Sequence, residues 1–339
     1  MRANEMPTEE LRREPAAFAD RITADGRFER TAEPGRYRLV ISRACPWAHR
    51  VVITRRLMGL EGAISLAVTD PRQEIIEGDP HWVFTEETGS PGGKDPVLGI
   101  HALREAYLAR DPHYTGGVSV PGLVDVDDGH LVSNDYDRLV LDMATEWGGL
   151  VRDGAPDLYP RELRGRIEEL SQEIYTDLNN GVYRAGFAPD QAHYDAAVAD
   201  VFARLDALEE HLRTRRYLVG DSITVADIRL FPTLVRFDAA YHGHFKCNIR
   251  KLSEYPALWA YARDLFQTPG FGDTTDLDHV RTHYYWVHSA INPTRIVAAG
   301  PDPRLWLTPH HREELGGSPF GTGTAPGPVP AGERVPDLG

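Results

Sequence analysis

The chain has 339 residues and carries 37 Lys+Arg against 51 Asp+Glu, a formal net charge of −14 at pH 7. No lysine- or arginine-rich run offsets that balance, so nucleic acid and anionic membrane surfaces are poor partners and a small molecule is a better one. The length suits two compact domains, with ample chain to bury a sizeable core.

The N-terminal stretch MRANEMPTEELRREP is polar without an apolar core and does not read as a secretory signal. No run of about 18 apolar residues could span a membrane. The two cysteines, Cys45 and Cys247, are far apart and make no disulfide framework. That usage points to the reducing cytoplasm. Abundant Ala, Arg, Gly, Val and Asp hint at a high-GC genome.

Residues 37–42, YRLVIS, alternate as a strand does. Pro46 suits the first position of a following helix, where its missing N–H is not needed, and Trp47, Val51 and Met58 return at roughly helical spacing. ISLAV at 64–68 reads as a second strand. Residues 71–117, with GDPHWVF, TGSPGGKDP and DPHYTGG, resist regular assignment. A segment of that length in a compact domain is expected to be functional, and this one carries Trp82 and Phe84. GVSVPGLVD (117–125) reads as a strand entered at Pro121, and DDGH (127–130) as a turn. HLVSNDYDRLVLDMATEW gives a short strand and a helix, with Ser133 or Asn134 as its N-cap. Residues 148–160 have linker composition. Beyond them the chain is mostly helical, with apolar stripes at Leu163, Ile167, Leu170, Ile174 and Leu178, and at Val198, Val201, Phe202, Leu205, Leu208 and Leu212. Thr224 to Asp227 is a capping box, a structural device. Residues 316–339, rich in Gly and Pro, are expected to be disordered. There is no internal repeat.

The chemistry centres on Cys45. It stands between a strand and a helix, in SRACPWAHR, where unpaired N–H groups and the helix dipole favour a thiolate. Arg50, and His49 if protonated, would add positive charge nearby. The partner position of a CxxC pair is Ala48, so the chemistry is monothiol and an external thiol must release whatever Cys45 captures. Pro121 sits where thioredoxin-like folds place a cis-proline beside such a cysteine, with Val120 offering its backbone to a thiol peptide. The tyrosines Tyr183, Tyr284 and Tyr285 read, from pattern alone, as packing residues. Cys247 has His242 and His244 nearby, but the spacing fits no metal template, so it reads as a packed or surface thiol and no metal is expected.

A thioredoxin-like α/β domain, a linker and an all-helical domain containing TVAD resemble a glutathione transferase. ACPWAHR, DPHYTGGVSVP, LVSND, NNGVYRAGF, DIRLFPTLVRFD, HFKC, and HVRTHYY followed by INPT resemble the xi class, the glutathionyl-hydroquinone reductases, from about residue 35 to about 300. The resemblance implies an N-terminal extension (1–35), a thioredoxin-like thiol-binding domain (36–147) with the 71–117 insertion, a linker (148–160), an all-helical domain (161–315) and a tail (316–339). It implies that Cys45 attacks the sulfur of a glutathionyl-hydroquinone, that a second thiol reduces the mixed disulfide, and that Tyr183 and Tyr284 serve the departing ring. It further implies thiol contacts by Trp82, Val120, Pro121, Asp135 and Tyr136, and a homodimer through the helical domain.

The chain also departs from the family pattern. Asp135-Tyr136 stands for Glu-Ser, Gly117 for an arginine that helps bind a glutathione carboxylate, and Tyr284-Tyr285-Trp286 for Tyr-Phe-Arg. Arg43 or Arg104 could replace the lost cations. Fewer arginines and more rings would suit mycothiol, an uncharged sugar-linked thiol of many high-GC bacteria, in place of glutathione. Two other functions are compatible with the pattern: a non-catalytic quinone- or aromatic-metabolite-binding protein, and a general dehydroascorbate or disulfide reductase.

Overall fold

The structure is a computed structural model that describes residues 14–28, 30–336 and 338. The polar start of the chain therefore lies largely outside the described residues.

After a short parallel pair, β1 (Ile22–Thr23) and β2 (Arg30–Thr31), comes the central strand β3 (Tyr37–Ile41) and helix α1 (Pro46–Met58). Strand β4 (Ile64–Val68), the hairpin β5 (Glu74–Ile76) and β6 (Asp79–His81), and helix α2 (Arg104–Arg110) follow. Strands β7 (Gly122–Asp125) and β8 (Leu131–Ser133) and helix α3 (Tyr136–Thr145) complete this half. The main sheet has the order β4-β3-β7-β8, with β3 parallel to β4 and antiparallel to β7. β3 is flanked on both edges and all five of its residues are buried, Arg38 among them. A buried cation needs a partner, and Arg38 Nε donates to both oxygens of Asp95 at 3.0 Å. Asp95 comes from the 71–117 segment. That segment is therefore a built part of the domain, with Trp82, Phe84, Leu103 and Tyr107 in the core, rather than a featureless loop.

α1 is buried along all 13 residues, because the sheet lies on one side and the helical half on the other. Gly59 ends it at φ 68°, a left-handed cap that glycine adopts without steric cost. The helical half comprises α4 (Arg164–Ile174), α5 (Gly181–Gly186), α6 (Gln191–Leu212), α7 (Val225–Arg236), α8 (Pro256–Gln267) and α9 (Leu277–Val287). Two π-helical turns interrupt it, at Tyr175–Asn179 and Phe237–Tyr241. The expected stripes on α4 and α6 face the core, with Leu163 only partly buried. Thr224 and Asp227 form the capping box of α7, and Asp227 also accepts from Leu218 N at 3.0 Å and Tyr261 Oη at 2.7 Å. No helix among the described residues is long and apolar enough to cross a membrane.

Two expectations need correction. The N-cap of α3 is Asp135, not Ser133 or Asn134: its carboxylate accepts from Arg138 N at 3.0 Å, while Ser133 ends β8. The C-terminal segment, expected to be disordered, lies along both halves. Ser318 N donates to Asp221 O at 2.9 Å, Thr324 N to Gly154 O at 2.8 Å, and Arg56 Nη2 to Gly327 O at 2.9 Å. The Glu333 carboxylate takes Arg55 Nη1 and Nη2 at 2.7 and 2.6 Å. A Gly/Pro-rich strap has no periodicity of its own, and the groups that hold it belong to distant elements.

Candidate active site

Cys45 is the N-cap of α1. Its sulfur accepts from Ala48 N at 3.5 Å, and the thiol also reaches the Val120 carbonyl at 3.4 Å. The Val120–Pro121 peptide is cis. A network behind it fixes this segment: Tyr107 Oη donates to Ser119 O at 3.0 Å, Asn134 Nδ2 to Ser119 Oγ at 2.9 Å, and Phe18 N to Asn134 Oδ1 at 2.9 Å. Asn134 of LVSND thus anchors the segment that carries Val120.

Trp47, two residues after Cys45, leads to the tyrosines. Its ring centroid lies 4.9 Å from Tyr136 and 6.3 Å from Tyr183, with the Arg50 guanidinium 4.6 Å from its ring. Tyr136 is thus turned onto α1. Asp135, half-buried, gives one carboxylate oxygen to the α3 cap.

Tyr183, at the middle of α5, hydrogen-bonds Tyr284 on α9. Tyr241, at the end of the second π turn, completes the group with Tyr284 Oη at 3.0 Å and Tyr183 Oη at 3.5 Å. Burial, then the neighbouring phenols, pushes the pKa of Tyr241 and Tyr284 well above that of an ordinary tyrosine. These phenols therefore stay protonated at neutral pH. Phe245 walls the group, with ring centroids 5.3 Å from Tyr183 and 5.5 Å from both Tyr241 and Tyr284.

Trp82 Nε1 donates to Val118 O at 3.3 Å, and the ring stacks on His283 at 5.2 Å. Burial lowers the His283 pKa to about 4, so the ring is neutral at physiological pH. Trp82 therefore bridges the segment before Pro121 and the helix that carries Tyr284. Gly117 borders open space. Beside it Arg104 donates to Gly116 O at 3.5 Å and Tyr114 O at 3.4 Å. Cys247 is fully buried, and burial raises its thiol to about 12, so it is a packing residue. A cavity of about 160 Å³ borders Arg50, Tyr136 and Asp137, with neither Cys45 nor the tyrosine trio in its lining.

The structure thus joins Cys45 with Val120 and cis-Pro121, and Tyr183 with Tyr284. Asp135 and Tyr136 are drawn toward helix capping and toward Trp47. Sequence reasoning missed Tyr241. Its only signal was its place between DIRLFPTLVRFD and HFKC.

Three comparisons bear on this arrangement. The family model for the glutathione S-transferase C-terminal domain matches residues 191–264. Glutathionyl-hydroquinone reductase YqjG of Escherichia coli (strain K12) is 43% identical over 309 residues, covering 89% of this chain and 92% of that protein. Its glutathione-bound structure superposes with a TM-score of 0.80 at 43% identity, covering 88% of this chain and 96% of that one. A glutathione transferase from Gordonia bronchialis DSM 43247 superposes with a TM-score of 0.91 at 57% identity, covering 95% of this chain and 98% of that one. The chain is an enzyme of the xi-class glutathione transferase family, the family of the glutathionyl-hydroquinone reductases.

Proposed function

We propose that this protein removes a thiol from thiol–hydroquinone conjugates through a mixed disulfide at Cys45. The observation that carries the reading is the sulfur of Cys45 at the start of α1, held beside Val120, with the three hydrogen-bonded phenols reached across Trp47. A thiolate at a helix N-terminus is a soft nucleophile. It attacks the conjugate's sulfur, forming the Cys45 S–S bond as the sulfur–ring carbon bond breaks. The electron pair of that bond goes to the ring carbon, which takes a proton to give the free hydroquinone. That proton is assigned to Tyr183 and Tyr284, which hydrogen-bond each other and Tyr241. A second thiol then attacks the mixed disulfide and leaves as the symmetric disulfide, restoring Cys45. The sum is the reduction of one conjugate at the expense of one added thiol.

Glutathione is the thiol this geometry supports best. Arg104 lies beside Gly117 and offers a cation where the family arginine is missing, and Tyr136 is turned to Trp47 rather than toward a sugar. Mycothiol is the second reading, favoured by the open space at Gly117. The same proposal places the enzyme in a reducing cytoplasm as a homodimer built through the helical domain. The test is incubation with matched quinone conjugates of both thiols, reading hydroquinone release and the intact mass of the Cys45 adduct. Release that depends on Cys45, with a glutathione adduct formed faster, is the expected result. A faster mycothiol adduct would reverse the choice of thiol. Full activity in Cys45→Ala would overturn the mechanism.

A further inference from the structure

Arg236 ends α7 in the helical half, yet most of its hydrogen bonds cross to the other half. Its side chain is fully buried. Nε donates to the Ala44 carbonyl at 2.8 Å, and Nη2 to the Arg43 carbonyl at 2.9 Å. Nη1 donates to His49 Nδ1 at 3.1 Å and to Pro232 O, one turn back in its own helix, at 2.9 Å. Arginine has no acceptor, so His49 Nδ1 accepts and its proton sits on Nε2, which donates to Thr274 Oγ1 at 3.0 Å. Thr274 in turn donates to Phe271 O at 2.8 Å. Cys45 N donates to Ser42 O at 3.0 Å. The turn that presents Cys45 is therefore closed from within by Ser42 and gripped from the opposite half by one guanidinium.

Among the described residues Arg236 also lacks a paired carboxylate, as does buried Arg312, which backbone carbonyls of Leu212, Ala257, Arg215 and Arg216 hold. Buried Arg38 and Arg55 are paired with Asp95 and Glu333. Arg236 has carbonyls and a neutral imidazole around it, and no carboxylate among the described residues. A buried cation without a counter-anion is costly. The Ala44 carbonyl that Arg236 holds is adjacent in sequence to Cys45. The other charged or titratable groups facing Arg236 are Arg43 on the same turn, His49 on α1, Tyr241 on the π turn, and His283 and Tyr284 on α9.

We propose that Arg236 is a positioning residue for Cys45: its fork fixes the Arg43–Ala44 carbonyls and His49, so the helical half sets the orientation of the thiol and supplies the counter-charge for its anion. This rests on Cys45 being the nucleophile. The two ideas fail separately, because alkylation of Cys45 requires no quinone.

The test uses the full chain with Arg236→Lys, which keeps the charge and loses the fork, and Arg236→Met, which loses both. Iodoacetamide alkylation is followed on the Cys45 peptide against pH, beside kcat and KM for hydroquinone release. Circular dichroism and thermal melting report folding. In Arg236→Met the alkylation midpoint is expected to rise by about one unit, roughly tenfold slower labelling at neutral pH, with kcat falling and KM little changed. In Arg236→Lys the midpoint should stay near that of the parent while kcat falls several-fold. A folded Arg236→Met with the parent's midpoint and kcat would overturn the proposal. If Arg236→Met does not fold, Arg236→Lys decides, and an unchanged kcat overturns it. Loss of the fold in both variants would make the role purely structural and overturn it as well.

Discussion

Tyr241 shows how much of this site depends on single hydroxyls. It touches both Tyr183 and Tyr284, so removing its oxygen leaves the Tyr183–Tyr284 bond in place. Tyr284→Phe should slow hydroquinone release by about 10²–10⁴-fold, the usual contribution of a general acid. Tyr241→Phe should cost less, roughly tenfold. Single-turnover release with the conjugate's KM measured alongside separates the two effects, and parent-like rates in both variants would return the trio to a packing role. Under the proposed function, Arg104 is the cation beside Gly117 assigned to the thiol. A hydrogen bond to a charged group is worth about 1.5–3 kcal/mol. Arg104→Gln should therefore raise KM for glutathione conjugates about tenfold or more while kcat stays close to the parent value. An unchanged KM would favour a neutral thiol in the open space at Gly117.

At the scale of elements, the two π turns and one glycine decide where the rings meet. A π turn adds one residue to a helical turn and rotates the remainder of the helix by about 100°. The turn at Phe237–Tyr241 brings Tyr241 to Tyr284, and the one at Tyr175–Asn179 brings Asn179 to Arg50 at 2.8 Å. Neither is visible as a change in hydrophobic period. Gly186 ends α5, and a Cβ there would lie 2.3 Å from Phe245 Cγ. Phe245 contacts all three tyrosines, so Gly186→Ala must displace the wall of the site. Overpacking of this kind costs about 1–3 kcal/mol. Denaturant unfolding should show that loss, and turnover should fall with it while iodoacetamide still labels Cys45. Unchanged stability would mean that Phe245 has room to move.

For the whole molecule, the buried histidines set the acid limit. Burial lowers His244 and His283 to about 4, and lowers His49 and His288 well below the usual value of 6.5. A depressed histidine pKa means that the unfolded chain takes up a proton that the folded chain refuses. Stability is therefore full above pH 6.5 and declines as pH falls from 6.5 toward 4. The slope is about 1.4 kcal/mol per pH unit for each histidine in that window. Buried Asp227, whose pKa burial raises, acts in the opposite sense at the acid end. Urea unfolding at pH 7, 6 and 5 should show the decline, and His244→Phe, which keeps the stacked ring on His288, should make it shallower. A flat profile would mean that these rings take up protons over the same pH range in the folded and unfolded chains.

The sequence by itself determined the local structure and the place of Cys45 at the start of α1. Strand alternation at 37–41, Pro46 after Cys45, the stripes of α4 and α6 and the Thr224–Asp227 box are each written within a few residues, so periodicity and capping chemistry reveal them. The cysteine was legible for the same reason, since its position is set by the helix it begins. Tertiary structure decided what depends on partners far away in the chain. The 71–117 segment is held by Asp95 answering Arg38, and the C-terminal strap by Arg55 and Arg56 on α1 and by Arg152 in the segment between the halves. Tyr183, Tyr241 and Tyr284 come from three helices, and Arg236 meets the Cys45 turn across 192 positions of sequence. A hydrogen bond between distant residues leaves no period in the chain, because either partner alone is compatible with a surface, a core or a site.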